Sequence, residues 1–319
     1  MPYPSPRQWL GLGLETVRGT AVSPQWFIPV KSPVWKPNLM MLDDDGLRGS
    51  MVDVYDQIAG QRYDSLSFDC DVYADSFPAL VRGCLGSTDT VTGTTAPYTH
   101  TIGLLNNTAS SQPPSYTGTY FDGQDINQLA AAQLGDLVIK FNAAGLLTCT
   151  TNYISNPSTV ITTTTNTPTT LEAIASWNCV VSLGGSPITK LVEGELDLKR
   201  GTKAIPAITG TQTMYQNWAG PLSTKGSKLV VIMESDAELT YFLNNSKGIA
   251  LDLKFTDPGL NTVDFHMSTT AWAAGSKNNG KDWLEVDLEF FGLPNSTDVV
   301  AGGLSPVKVA ITNSVSAAY

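Results

Sequence analysis

The sequence predicts a mainly β protein made of two tandem β-sandwich or half-barrel units, each flanked by one short α-helix. Three observations lead there. Charged residues are 15% of the 319 and hydrophobic residues 42%, with 28 Gly and 19 Pro, a mix that suits strands joined by turns. Apolar and polar residues alternate with a period of two in several segments, as half-buried strands require. A Thr- and Pro-rich seam near the middle separates two stretches with the same order of elements, and a chain this long can bury a core twice over.

The first unit is expected over residues 1–155, including an N-terminal arm. Phe27–Trp35 reads as a strand, 36–63 as a long polar loop bearing Gly, and Leu66–Val72 as a strand with Leu66, Phe68, Cys70 and Val72 inward. A short helix follows, with Asp75 or Ser76 expected to cap its first amides and Gly83 to end it. Leu146–Tyr153 closes the unit. Residues 156–175 read as a linker, although the β-branched run from Thr159 could also pair as an edge strand.

The second unit, 176–319 with a C-terminal arm, repeats the order. Thr189–Lys199 is a strand, 200–226 a long loop and Leu229–Glu234 a strand. Ser235–Glu238 should form a capping box for a helix bearing Leu239, Phe242 and Leu243 that ends at Gly248. Leu284–Phe291 is the closing strand. One continuous β-sandwich is the alternative.

The net charge of −10 is spread over both halves. Residues 1–160 carry 14 acids and 8 bases, and the remainder 15 and 11. No Lys/Arg stripe is present, which argues against a tight grip on nucleic acid but not against a surface that DNA slides past. Cys70, Cys84, Cys149 and Cys179 are scattered and read as free thiols in a reducing cytoplasm. No export signal and no run of 18 apolar residues is recognisable, so neither secretion nor a membrane partner is expected.

Catalytic constellations are scarce. His100 and His266 are the two histidines, both in strand-like contexts that favour a hydrogen-bonded structural imidazole. Nucleophile elbows, phosphate loops and zinc motifs are absent, and no enzyme activity, metal or cofactor is expected. Asp43-Asp44-Asp45-Gly46 lacks the spacing of a calcium loop and reads as a solvated acidic turn. Two strands concentrate carboxylates on one face: Glu193, Glu195 and Asp197, with Val192, Leu196 and Leu198 opposite, and Glu285, Asp287 and Glu289, with Leu284, Val286, Leu288 and Phe290 opposite. Within each strand no base relieves them before Lys199. Such a face is either ordinary solvated sheet or a surface that repels phosphate. The scattered tryptophans suit core or interface packing.

The segment Gly13-Leu14-Glu15-Thr16-Val17-Arg18-Gly19-Thr20-Ala21-Val22-Ser23-Pro24, followed by Phe27-Ile28-Pro29-Val30, resembles the entry segment of major tail tube proteins of siphophages, the bacteriophages with long non-contractile tails, especially those of actinobacterial hosts. Gly46-Leu47-Arg48-Gly49, Pro97-Tyr98-Thr99-His100, Ala144–Thr148 and Gly194–Gly201 follow in that family's order. The resemblance covers nearly the whole chain.

It implies a β-sandwich-like structural subunit in the virion tail, assembled in the host cytoplasm into rings whose inner strands join one barrel, the rings stacking into the conduit for genome ejection. Two fused units per chain imply a trimeric, pseudo-sixfold ring, with a hexamer as the alternative. Segments 36–63 and 200–226 then correspond to loops that reach the neighbouring ring and order on stacking, with Asp43, Asp44, Asp45, Arg48, Lys203, Tyr215 and Trp218 as candidate contacts. Glu193, Glu195, Asp197, Glu285, Asp287 and Glu289 become candidates for the lumen wall. Implied partners are the tape measure protein and transiting double-stranded DNA in the lumen, with tail terminator and distal tail proteins at the tube ends. The competing functions are a surface carbohydrate-binding or host-recognition β-sandwich, and a head-decoration or tail-terminator protein.

Overall fold

The computed structural model describes residues 5–107, 109–162 and 164–319; the first four residues of the expected N-terminal arm, and Thr163 of the expected linker, lie outside it. Strands take 51% of the chain and helices 7%, so the mainly β expectation holds. The first half contains β1 (Trp9–Leu14), β2 (Trp26–Ile28), β3 (Val30–Asp44), β4 (Asp56–Asp71), α1 (Phe77–Leu85), β5 (Thr90–Thr92), β6 (Tyr98–Gly103), β7 (Tyr116–Phe121), β8 (Ile126–Asn142) and β9 (Thr148–Ser155). After β10 (Thr159–Ile161) come β11 (Cys179–Leu183), β12 (Ser186–Ile188), β13 (Leu191–Lys199), β14 (Lys203–Ile205), β15 (Gln216–Trp218), β16 (Ser227–Ile232), α2 (Ala237–Leu243), β17 (Ile249–Thr256), β18 (Thr262–Asn278), β19 (Glu285–Gly292) and β20 (Lys308–Asn313).

Both halves share one wiring. In the first, antiparallel pairings run β2–β1–β7–β8–β9–β4–β3. In the second they run β12–β11–β17–β18–β19–β16–β13. The irregularities recur too. β8 shifts register against β7 between Ala132 and Leu129, and against β9 between Leu134 and Leu137. β18 shifts against β17 between Thr270 and Met267, and against β19 between Trp272 and Ala274. Each shift inserts one residue into the long strand, which sharpens its twist.

The alternation read from sequence sets the core. On β4, Leu66, Phe68 and Cys70 are buried while Ser67 and Asp69 are exposed. On β19, Val286, Leu288 and Phe290 are buried, but Leu284 precedes the strand and is exposed. The apolar sides of both halves merge into one cluster that includes Phe68, Leu80, Phe141, Leu198, Phe255 and Phe290. The Thr-rich stretch contributes β10, whose Thr159–Ile161 pair with Gln128–Ile126 of β8.

The helices differ from expectation at their ends. In α1 the Ser76 side chain makes no capping bond, and Asp75 instead accepts the Thr169 hydroxyl. Pro78 in the first turn has no amide to satisfy, which weakens the need for a cap. The helix runs through Gly83 and stops at Gly86, where φ is 91° and the amide reaches the Arg82 carbonyl. In α2 Ser235 Oγ accepts the Ala237 amide at 3.3 Å, as expected of a cap, but neither Asp236 nor Glu238 closes a capping box; Glu238 lies 3.9 Å from Lys190. The helix ends at Asn244, followed by Asn245 at φ 49°, before Gly248 is reached.

Segment 36–63 is not an open loop. It forms the outer part of a β3–β4 hairpin in register from Lys36↔Ser65 to Asp44↔Asp56, an arm with residues 45–55 at its tip. Segment 200–226 folds back instead, carries the small β14–β15 pair, and touches the base of the arm through Arg62 N–H to the Gln212 carbonyl.

The last strand straps the halves together, because β20 pairs with β18 on one side and β6 on the other. Beyond it, Tyr319 is buried and packs edge-on against His100 at 4.9 Å. His100 Nδ1 lies 2.6 Å from Asp89, and Nε2 lies 2.9 Å from the Val315 carbonyl and 3.1 Å from Asn313 Oδ1. With acceptors at both ring nitrogens, the buried imidazole fits best as the doubly protonated cation. Burial opposes that charge, but Asp89 and the two oxygens outweigh it and raise the pKa. A raised folded-state pKa stabilises fully below the unfolded value of about 6.5 and is lost as pH climbs through the folded value. Urea unfolding between pH 5 and 9 should therefore show stability falling on the alkaline side, and His100→Gln should be less stable at pH 5 and flatten that fall.

Candidate functional site: a polar sheet face shared by both halves

β8 pairs with β13 from Asp136↔Lys199 to Asn142↔Glu193. That junction fuses the halves into one eight-stranded sheet, ordered β3–β4–β9–β8–β13–β16–β19–β18. One side of this sheet is the hydrophobic core. The other carries the charged and polar side chains, with Val34, Val138, Val230 and Ile232 set among them.

The registers align charges into a row. Asp71 stands across from Thr148, Thr148 from Lys140, Lys140 from Glu195, Glu195 from Lys228, and Lys228 from Glu289. Opposite charges directly across a sheet stabilise it by roughly 0.2–1 kcal/mol per pair. The carboxylates are therefore not unrelieved as the single strands suggested. Lys140 and Lys228 interleave with them from neighbouring strands, a relation that no one-dimensional reading contains.

All six lumen candidates fall on this face, in unequal settings. Glu193 and Glu289 are exposed, and Glu195 and Asp287 half-buried. Asp197 is buried and held by Lys199. Glu285 is covered by the β18–β19 turn, where Lys281 Nζ at 2.8 Å and Trp283 Nε1 at 2.9 Å donate to it. Lys281, then Trp283, hold that carboxyl below its usual range. Glu193, Lys228, Ser276, Lys281, Asp287 and Glu289 line a hollow of about 450 Å³.

The arm and the folded loop hold the other candidates. Asp43 accepts from Gln57 Nε2 at 2.9 Å, Asp44 pairs with Arg48, and Arg48 lies over the Tyr55 ring. Asp45 is exposed at the tip. Lys203 and Trp218 are register partners in β14–β15, and Tyr215 is exposed beside them. Leu39, Met41, Leu42, Leu47, Met51 and Ile58 leave the arm's flanks and tip apolar and uncovered. At its base Met40, Leu42, Pro206 and Ile208 help line a groove of about 580 Å³.

Burial pushes the Cys84 and Cys179 thiols up to about 12, away from the reactive thiolate. His266 is engaged by Asp252 and Ser268. Among the described residues, no cluster of three or more His, Cys, Asp or Glu could hold a metal.

Two buried charged residues, Glu15 and Arg200, were not singled out from the sequence. Glu15 is buried and accepts from Gly19 N, Ser115 Oγ, Thr117 Oγ1 and Ala131 N at 2.7–2.9 Å. Arg200 is buried and donates to the carbonyls of Gly220, of Cys84 near the end of α1, and of Ser111. Both lie within the segments that carry the family resemblance.

A model of the phage tail tube protein family matches residues 7–292. No curated protein matches the chain. Among the described residues, no helix is long and apolar enough to cross a membrane.

At the β8–β13 junction, a Cβ on Gly194 would come within 2.3 Å of the buried Phe141 ring. Gly194→Val should open the junction and cost at least about 2 kcal/mol, read as a lower urea midpoint, whereas Glu193→Gln on the exposed side of the same strand should stay within about 0.5 kcal/mol of the parent.

Proposed function

The chain belongs to the phage tail tube protein family, and from that premise we propose that three copies close a pseudo-sixfold ring whose wall is the eight-stranded sheet, polar face inward. The protein is a structural component of the virion, and its copies stack into the tail tube. The observation that carries the finer reading is the β8–β13 junction: two identically wired units already meet edge to edge within one chain, so three chains supply six units.

The dimensions favour three over six. Three copies give on the order of 24 strands, which at about 4.8 Å spacing and a tilt of about 40° close at a diameter of roughly 48 Å. Six copies would double that to roughly 95 Å. Duplex DNA is on the order of 20 Å across, so the smaller barrel leaves room for side chains and a layer of water, and the larger one leaves a wide void.

In this arrangement Glu193, Glu195, Asp287 and Glu289 face the lumen, which the tape measure protein fills before DNA passes. The apolar arm reaches the adjoining ring, one arm per chain, because the equivalent position in the second half is the folded loop. The ends of the tube meet terminator and distal tail proteins. The long non-contractile tail implied by the entry segment is the assigned setting, and the role is non-catalytic.

Purified protein at high concentration should form hollow tubes of uniform width in the electron microscope, with three chains per ring. Rings of six chains, or Glu289 on the outer wall, would overturn this reading. Deleting residues 40–60 should leave single rings and few tubes. Replacing Glu195, Asp287 and Glu289 together with Lys should make the tubes retain DNA at low salt and release it as salt rises.

A further inference from the structure

The eight-stranded sheet ends at two strands whose outer edges pair with nothing among the described residues: β3, bonded only to β4, and the distal part of β18, bonded there only to β19. The shared wiring says what each edge is. β13 occupies the place of β3 and β8 the place of β18, and inside the chain those two strands are paired. We infer that the seam between copies joins β3 of one to β18 of the next, in the register of the internal seam, with Trp35 across from Lys277. This rests on the ring proposed above.

The register follows from matched pairings. Val34 lies across from Ser67 and Ser67 from Asn152, as Glu195 lies across from Lys228 and Lys228 from Glu289; Trp35, Lys36 and Pro37 therefore stand where Leu196, Asp197 and Leu198 stand. The bulge after Leu134 in β8 matches the bulge after Trp272 in β18, which places Gly275, Ser276 and Lys277 on Leu137, Val138 and Ile139. Internally Leu196 faces Ile139, Asp197 faces Val138 and Leu198 faces Leu137. Across copies the partners become Trp35 with Lys277, Lys36 with Ser276, and Pro37 with Gly275.

Backbone direction sets the strength of this seam. Lys199 exchanges both backbone bonds with Ser223, and the Asp197 amide faces Ser227, so the amides of Leu196 and Leu198 face β8. Their counterparts Trp35 and Pro37 face outward. Trp35 offers an amide and a carbonyl, but Pro37 offers a carbonyl alone. The seam between copies is thus weaker per residue than the one inside the chain. Proline on an outward edge also deters indiscriminate strand addition. On the polar face, exposed Lys36 enters the neighbouring row beside Ser276 and Asp287, a base supplied to the acidic end of the sheet.

Lys36 and Ser276 form a non-hydrogen-bonded pair, the kind in which side chains approach closest. Tubes of a Lys36→Cys, Ser276→Cys double variant, mildly oxidised, should run as covalent dimers and trimers on a non-reducing gel. Asn38→Cys with Asn278→Cys, on the same strands but out of register, should stay monomeric. Equal cross-linking of both pairs, or tubes without cross-links at the first, would overturn the seam while leaving the three-chain ring standing. A reconstruction of unmodified tubes is the independent check: Trp35 and Lys277 of adjacent copies should have Cα atoms about 5.5 Å apart. Three-chain rings with those residues apart overturn the seam alone, and a failure of the parent chain to form tubes overturns the seam and the ring together.

Discussion

A sheet with two open edges is the constraint on which the rest of this molecule depends. Among the described residues, β3 and the distal half of β18 each present a row of unpaired backbone groups, and exposed edges of that length invite uncontrolled association. Closure into a barrel removes them without further protection. Within the chain their counterparts in the shared wiring, β13 and β8, meet with seven residue pairs in register. Under the proposed seam, Pro33 and Pro37 on β3 and the bulge in β18 restrain the unassembled chain: they leave the edge open to one partner geometry and poor for others.

For such edges to meet in register, the sheet between them has to hold its curvature, and the core explains how. Phe141 packs edge-on against Phe255 at 5.2 Å, and Phe77 against Phe265 at 6.1 Å, so aromatic contacts cross from one half to the other. Arg200 carries the second half's folded loop to the end of α1 in the first half. β20 and Tyr319 return from the second half to clasp β6 and His100. These ties make the unit-to-unit angle a property of the interior rather than of the linker. Removing the partner of a buried charge such as Arg200 costs far more than losing a surface pair, so the ties are hard to loosen piecemeal.

How much of this the sequence disclosed follows from the range of each interaction. The strands at Leu66–Val72, Leu191–Lys199 and Glu285–Phe290 were legible because alternation is a local signal. The arm was not, since Met40–Leu42 and Val52–Ile58 look like an irregular run when the partner strand is unknown, and Gly and Pro suggested a loop. The caps differed for a related reason: Ser76 suits an N-cap and Glu238 a capping box, but α1 has Pro78 in its first turn and Glu238 lies near Lys190. The interleaving of Lys140 and Lys228 with Glu195 and Glu289 is set by strand order, which no window of residues contains. Glu15 was visible as a letter, but its four donors come from as far away as Ala131.

The mixed charge of the polar face has a consequence for a conduit. Were every residue in the row acidic, neighbours about 5 Å apart would repel and the sheet would resist closing. Alternating Lys140, Glu195, Lys228 and Glu289 removes that strain; Lys31, Lys199 and Lys281 pair with Asp71, Asp197 and Glu285, and Asp69, Glu193 and Asp287 leave the face acidic on balance. At physiological salt the screening length is about 8 Å, so under the proposed arrangement a duplex near the axis feels little of either sign. Close to the wall it meets the excess carboxylates before it can form the several Lys–phosphate contacts on which binding depends. The face can therefore be cohesive within the sheet and non-adhesive to DNA, because the two properties are decided at different distances.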